Sequence, residues 1–223
     1  MNARSSVLAV LVGAALLVAP AGLSACSSSA GSSLPDQVPN ATGSSPTAAP
    51  GGAFGTAVNK QYGISMRCPL GWVSATSTAK PSAKGDPLLQ LMWANPKGKA
   101  ANGHLIDALE VSVYALTKPV KPGDVGSHTR DFEAIAYGMI KSLPQLDITD
   151  PPKLITVNGT TGIQVTYTYG EGGAPTGAMS YLLPKGRYAY WITGQSSAAT
   201  WQTSWAKLAP SMASFTIGAV AAK

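Results

Sequence analysis

Apolar and polar positions alternate with a period of two over most of the chain beyond Val58, and twice the period lengthens to that of a helix. In the stretch Tyr62 to Cys68, the residues Ile64, Met66 and Cys68 share one parity, the mark of a half-buried strand. Pro69-Leu70-Gly71-Trp72 turns the chain, and Val73 to Thr78 is predicted to run back as a second strand. Lys, Pro and Gly between Lys80 and Pro87 break the pattern. Leu88 to Ala94 is an apolar run of strand length, and Asp107 to Leu116 places Leu109, Val111 and Val113 opposite Glu110 and Ser112. From Ser127 to Leu143 the residues Phe132, Ile135, Ala136, Met139, Ile140 and Leu143 recur as one face of a helix. Asp131 and Glu133 early and Lys141 late suit the helix dipole, and Pro144 marks a stop.

Strand periodicity then returns. After Asp150-Pro151-Pro152, Leu154 to Val157 meets Asn158-Gly159, a strong hairpin signal, and Gly162 to Tyr169 alternates with Ile163, Val165, Tyr167 and Tyr169 on one face. A turn through Gly170 to Pro175 leads to Met179, Tyr181 and Leu183, and Pro184-Lys185-Gly186-Arg187 is predicted to reverse the chain into Tyr188 to Thr193. A closing helix from about Ser197 to Ser214 carries Trp201, Trp205, Leu208, Ala209, Met212 and Phe215 on one face. Strands, helix, strands, helix, with no strand–helix–strand alternation, predict an α+β domain: an antiparallel meander packed by two main helices.

The phrase Tyr62-Gly63-Ile64-Ser65-Met66-Arg67-Cys68-Pro69-Leu70-Gly71-Trp72, the central helix, the Val157-Asn158-Gly159 hairpin and the final Tyr190-Trp191-Ile192 strand resemble the PsbP-like fold, an α/β/α sandwich. Among such proteins the chain is most similar to actinobacterial lipoproteins of the LpqN/LpqT type, over roughly Val58 to Ile217. The resemblance implies a non-catalytic accessory or scaffold role and identifies no binding residue.

Ahead of this domain, Val7 to Ala19 is an apolar run too short to span a bilayer, preceded by Arg4, as in a secretory signal peptide. It ends in Leu23-Ser24-Ala25-Cys26, which resembles the lipobox of bacterial lipoproteins. That resemblance implies cleavage before Cys26, a diacylglyceryl group on its thiol and further acylation of the new amino terminus. Two or more acyl chains satisfy the requirement for stable anchoring, since each buried CH₂ contributes about 0.8 kcal/mol and one chain holds only marginally. Residues 1–25 are therefore read as signal peptide. Residues 26–57, with almost no large apolar side chain, are read as the lipidated Cys26 followed by a disordered Ser/Ala/Gly/Pro tether. Residues 58–218 form the globular domain and 219–223 a tail. The expected location is the extracytoplasmic face of the cell membrane.

Composition narrows the function further. The net charge of +6 arises from scarce acids, because only 12% of residues are charged, and no dense Lys/Arg cluster points to nucleic acid. Mild attraction to anionic lipid headgroups is the natural consequence. With Cys26 acylated, Cys68 is left as the second of two cysteines, which excludes a disulfide framework and makes Cys68 a buried, inert thiol.

Candidate chemistry is sparse. Gly194-Gln195-Ser196-Ser197-Ala198 resembles a hydrolase nucleophile elbow, yet no Asp, Glu or His follows Ser196, so Ser196 or Ser197 is expected to cap the last helix. Ser204-Trp205-Ala206-Lys207 and Ser77-Thr78-Ala79-Lys80 fit S-x-x-K without its companion K-T-G. His104, expected in a loop, and His128, expected in the first turn of the central helix, are far apart in sequence and lack ligands at metal spacing. Asn158-Gly159-Thr160 matches a glycosylation sequon that the hairpin turn already explains. Trp72, Trp93, Trp191, Trp201 and Trp205 read as packing residues, with Trp191 alone of a parity that could line an exposed apolar or sugar-binding surface.

No catalytic residue, metal or cofactor follows from these patterns. The expectation is a non-enzymatic envelope lipoprotein, a tethered binding or scaffold module for an envelope protein or glycolipid. The alternative is a carrier that encloses an apolar lipid or small molecule.

Overall fold

The computed structural model describes residues 24–25, 43–48, 54–77, 85–98, 106–171 and 174–219. The chain forms strands β1 (Ser24–Ala25), β2 (Gly43–Ala48), β3 (Phe54–Asn59), β4 (Ile64–Pro69), β5 (Val73–Ser77), β6 (Leu89–Ala94) and β7 (Ala108–Val120). Helices α1 (Asp124–Ser127) and α2 (Thr129–Ile140) follow, then β8 (Asp147–Val157), β9 (Thr160–Glu171) and β10 (Ala174–Ser197). A 3-10 turn over Ala198–Thr200, helix α3 (Trp201–Ala213) and strand β11 (Thr216–Ile217) complete it. The strands make a seven-stranded sheet in the order β1-β5-β6-β7-β10-β9-β8 and a four-stranded sheet in the order β11-β4-β3-β2.

β10 is one run of strand backbone over Ala174–Ser197 but cannot be straight. Ser180 Oγ lies 2.8 Å from Thr193 Oγ1, thirteen residues on, whereas that length of straight strand spans about 44 Å. The run doubles back at Gly186, whose φ of 58° a residue with a Cβ rarely adopts. The arm through Leu182 pairs with β9, and the arm from Tyr188 pairs with β7. The reversal predicted at Pro184-Lys185-Gly186-Arg187 is therefore present, and the larger sheet is an antiparallel meander.

Period-two alternation gives the larger sheet two apolar faces, each with its own cover. On one face Leu89, Leu91, Leu109, Val111, Val113, Leu183, Tyr190 and Ile192 meet Ile64, Met66 and Cys68 of the smaller sheet, Leu208 and Met212 of α3, and Phe215 just after it. On the other, Ile163, Val165, Tyr167, Tyr169 and Leu182 lie under Phe132, Ala136, Met139 and Ile140 of α2. Each fully buried Leu, Ile, Met or Phe contributes about 1.5–3 kcal/mol, so both covers are held chiefly by burial.

Several boundaries differ from the sequence reading, each for a physical reason. Ordered backbone starts before Val58: β3 begins at Phe54, with Arg67 Cζ 4.6 Å from the centroid of its ring, and β2 pairs with β3 inside the stretch assigned to a tether. Backbone pairing to β4 and β3 asks for no large side chain, so composition alone misjudges it. The central helix is interrupted at His128, which caps α2 rather than joining its first turn, and it ends at Ile140, three residues before Leu143. β8 starts at Asp147 and takes in Pro151 and Pro152, which read as a break. It is the edge strand of its sheet, with register shifts beside these residues, and an edge tolerates missing donors. β11 was not foreseen; Ile217 pairs with Ile64, and Gly218 N donates to Gly63 O at 2.7 Å.

The hairpin turn between β8 and β9 has Asn158 at φ 45° and Gly159 at φ 79°, the two positive angles of a tight hairpin. Asn158 does a second job, since Nδ2 donates to the carbonyl oxygens of Ala213 and Phe215, both at 2.8 Å. The first is a carbonyl that the end of α3 leaves without an intrahelical partner, and the second belongs to the link into β11. Asn158→Asp keeps a residue that tolerates the turn but sets a carboxylate against two carbonyls, and should cost about 3 kcal/mol. Asn158→Gly, losing only the donors, should cost about half as much. Urea unfolding measures both; an Asp variant with the wild-type midpoint would mean that water satisfies these carbonyls equally well.

Candidate functional site

The most connected polar array among the described residues crosses the α2 face of the larger sheet. Alternation that puts Ala178 and Leu182 on this face also puts Ser180 there, and the same holds for Thr193 beside Trp191. Tyr167 Oη lies 3.0 Å from Ser180 Oγ, which lies 2.8 Å from Thr193 Oγ1, all three residues being buried. Tyr169 Oη donates to Gln195 Oε1 at 2.9 Å. Thr193 pairs in register with Glu110, whose Oε1 accepts from Ser112 Oγ at 2.8 Å and from Gln90 Nε2 at 3.5 Å. Thr176, opposite Tyr169, is fully buried with Oγ1 lacking a hydrogen-bond partner.

Burial sets the electrostatics of this array. The Tyr167 hydroxyl is pushed up to about 12 chiefly by burial, against the lowering effect of its bonds to Ser180 and Thr193. Tyr114 is also pushed to about 12, first by burial and then by the Glu110 carboxylate. Both phenols therefore stay neutral donors at physiological pH. The array combines neutral hydroxyls and amides with the Glu110 carboxylate, and its side-chain hydrogen bonds join β9 to β10 and β6 to β7. It contains no His or Cys, and its hydroxyl–carboxylate pair, Ser112 with Glu110, is set in the sheet with Ser112 buried.

The residues singled out from sequence are dispersed. Ser196 is fully buried and its Oγ donates to Ser197 O at 3.3 Å. Neither Ser196 nor Ser197 caps a helix through its side chain, which corrects the expected role: the 3-10 turn separates them from α3, whose N-cap is Thr200. Ser204 is half-buried and Lys207 exposed on α3, while Thr78, Ala79 and Lys80 of the other S-x-x-K lie outside the described residues, as do Cys26 and His104. His128 is exposed with Nδ1 3.1 Å from Asp124 O. Cys68 is completely buried. Among the described residues no three His, Cys, Asp or Glu side chains gather as a metal site, and no helix is long and apolar enough to cross a membrane.

The tryptophans divide. Trp72, Trp93 and Trp191 are core residues, so Trp191 does not line an exposed surface; the face of its parity is the one that α2 covers. Trp201 and Trp205 are only half-buried and stack on each other with centroids 5.3 Å apart. They pack where Gly177 and Gly194 leave the sheet without side chains, a Cβ at Gly177 falling 3.2 Å from the Trp201 ring. Sequence reasoning missed the Tyr167–Ser180–Thr193 chain and the capping role of Asn158. Parity would have found the first, because Ser180 and Thr193 occupy apolar-face positions; nothing local announces the second.

No family model and no curated protein matches this chain. Among solved structures it is similar to cyanobacterial PsbP (CyanoP) from Synechocystis sp. PCC 6803, with a TM-score of 0.51 at 11% identity, covering 77% of this chain and 98% of that one. It is also similar to LpqN of Mycobacterium tuberculosis, described as involved in cell envelope biogenesis, with a TM-score of 0.42 at 14% identity over 66% of this chain and 84% of that one. The likeness to CyanoP establishes a PsbP-like fold.

Proposed function

We propose that this chain is an exported lipoprotein, anchored through acylated Cys26 to the extracytoplasmic face of the membrane, whose PsbP-like domain binds an envelope protein or glycolipid without catalysing a reaction. The observation that carries the reading is Leu23-Ser24-Ala25-Cys26 directly after the apolar run Val7 to Ala19. Cleavage before Cys26 removes β1, a two-residue pairing against Val73 and Ser74 at the sheet edge, and leaves β2 to β11 whole.

Two further observations support a binding module. Ser196, the best candidate nucleophile, is buried and points its hydroxyl at a neighbouring carbonyl. Both faces of the larger sheet are filled by the protein's own side chains, among them Tyr190, Phe215, Ile64, Met66 and Leu182 at under 2% exposure, which favours recognition at the surface over an enclosed ligand.

The test is expression of wild type and Cys26→Ser in a bacterial host fed labelled palmitate. Wild type should carry the label and fractionate with membranes. Cys26→Ser should lose the label, while its described domain keeps the wild-type circular dichroism spectrum. Label retained on Cys26→Ser, or absent from wild type, would overturn the anchoring.

A further inference from the structure

The topology gathers cations from three separate segments at one end of the domain. The bulged end of β7 pairs with the turn of β10, Val120 opposite Gly186, which brings Lys118 and Lys121 beside Lys185 and Arg187. The turn before β4 joins them: Tyr190 Oη donates to Tyr62 O at 2.9 Å, and Tyr62 and Tyr188 meet edge to face at 5.4 Å. Lys60 stands at that turn. Lys185 Nζ holds the group together by donating to Ile217 O of β11. Lys60, Lys118, Lys121, Lys185 and Arg187 are all exposed, and the ion pair between described residues is elsewhere, joining Lys153 to Asp150.

The acids of this end lie on the helical layer. Asp124 turns its carboxylate onto the backbone N–H of Lys121 at 2.7 Å, and Asp131 and Glu133 lie on α2 with Arg130. The turn after β7 thus sets Asp124 beside Lys121, whereas the turns at Lys60 and at Lys185–Arg187 have Lys and Arg as their charged residues. The chain also enters the domain here, because Gly43 at the start of β2 pairs with Asn59, the residue before Lys60. Sixteen residues separate Cys26 from Gly43, a span of at most about 55 Å.

We infer that this end, built from the turns at Lys60, Lys118–Lys121 and Lys185–Arg187, docks flat on the anionic lipid headgroups of the membrane in which Cys26 is anchored. The inference rests on the lipoprotein reading: anchoring presents this end to the bilayer first, and its charges then fix the orientation of the domain. Each Lys or Arg close to an anionic surface strengthens attraction by roughly fivefold, within a Debye length of the headgroups. A domain lying on this end holds the α3 flank, with Trp201 and Trp205, away from the lipid for a partner.

The experiment uses the acylated full chain reconstituted in vesicles, with Thr117→Cys, an exposed β7 position, carrying a fluorophore; buried Cys68 and acylated Cys26 do not react. Flotation and the mass of Cys26 report anchoring separately from docking. With vesicles half phosphatidylglycerol and half phosphatidylcholine, a headgroup-linked quencher should dim the fluorophore, and with phosphatidylcholine alone it should not. Lys118→Glu/Lys121→Glu/Arg187→Glu should lower the docked-to-undocked ratio about 100-fold or more while the protein still floats. Equal quenching in both lipid mixtures, or quenching unchanged by the three substitutions, would overturn the docking while leaving the anchor in place. Loss of flotation with Cys26 unmodified would instead remove the lipoprotein reading.

Discussion

Raising the pH from about 10 to 12 should unfold this protein, after little change in tyrosine-linked stability below pH 10. Tyr114, Tyr167 and Tyr190 are buried, and each hydroxyl is pushed from 10.0 to about 12, in every case chiefly by burial. For Tyr114 the carboxylates of Glu110 and Asp86 push further, and for Tyr190 the neighbouring Tyr188 and Tyr62 do so. Below the unfolded value of about 10 the phenols are neutral in both states, so their contribution is fully present. Above it the unfolded chain gains solvated phenolates that the folded chain gains only near 12, and the contribution is lost across that window. A shift of two units corresponds to about 2–3 kcal/mol per tyrosine, and three such groups match much of a total stability of about 5–15 kcal/mol. Urea unfolding across the window, with phenolate absorbance followed in parallel, measures this. Tyr167→Phe, which cannot ionise, should flatten the pH slope by at most about one third, since burial pushes up the Tyr62 and Tyr181 hydroxyls as well. A stability that stays level from pH 9 to pH 12 would mean that water reaches these hydroxyls.

Gly162→Ala should lower the melting temperature by about 6–12 °C, corresponding to about 3 kcal/mol of overpacking in a domain of this size. Gly162 is buried in β9, and a Cβ there would overlap the Leu182 carbonyl oxygen of β10 and reach to 2.5 Å from Leu183 Cδ2. The carbonyl belongs to the backbone of a paired strand and cannot rotate away, so the β9–β10 pairing must open. Gly126→Ala in α1 is the control: nothing lies within 4 Å of a Cβ at that position, and the substitution should be neutral or stabilise by about 0.4–1 kcal/mol. Equal melting temperatures for wild type and Gly162→Ala would show that the two strands can separate at that point without cost.

The sequence by itself determined the class of this fold. Alternation at Ile163, Val165, Tyr167 and Tyr169, the Asn158-Gly159 pair and the spacing of Phe132, Ala136, Met139 and Ile140 are local signals, and each describes an element that the structure contains. The motif from Tyr62 to Trp72 was legible as a strand and turn, and its residues are indeed core: Ile64, Met66 and Cys68 lie against α3 and the larger sheet. What composition could not reveal was backbone pairing. β3 reaches back to Phe54, β8 absorbs two prolines and β11 closes the smaller sheet because N–H and C=O groups pair wherever a neighbouring strand offers partners, whatever the side chains.

Tertiary structure alone decided which polar groups meet. Ser180, Thr193 and Tyr167 are brought together because β10 reverses between the first two and the third lies on the adjacent strand. Asn158 caps a helix that ends 55 residues later. The cations at Lys60, Lys118, Lys121, Lys185 and Arg187 share an end only through strand register, which no spacing along the chain encodes. Periodicity reports the face on which a side chain stands, since it depends on the local backbone. What stands opposite that face depends on which distant strand is paired beside it, and only the folded chain fixes that pairing.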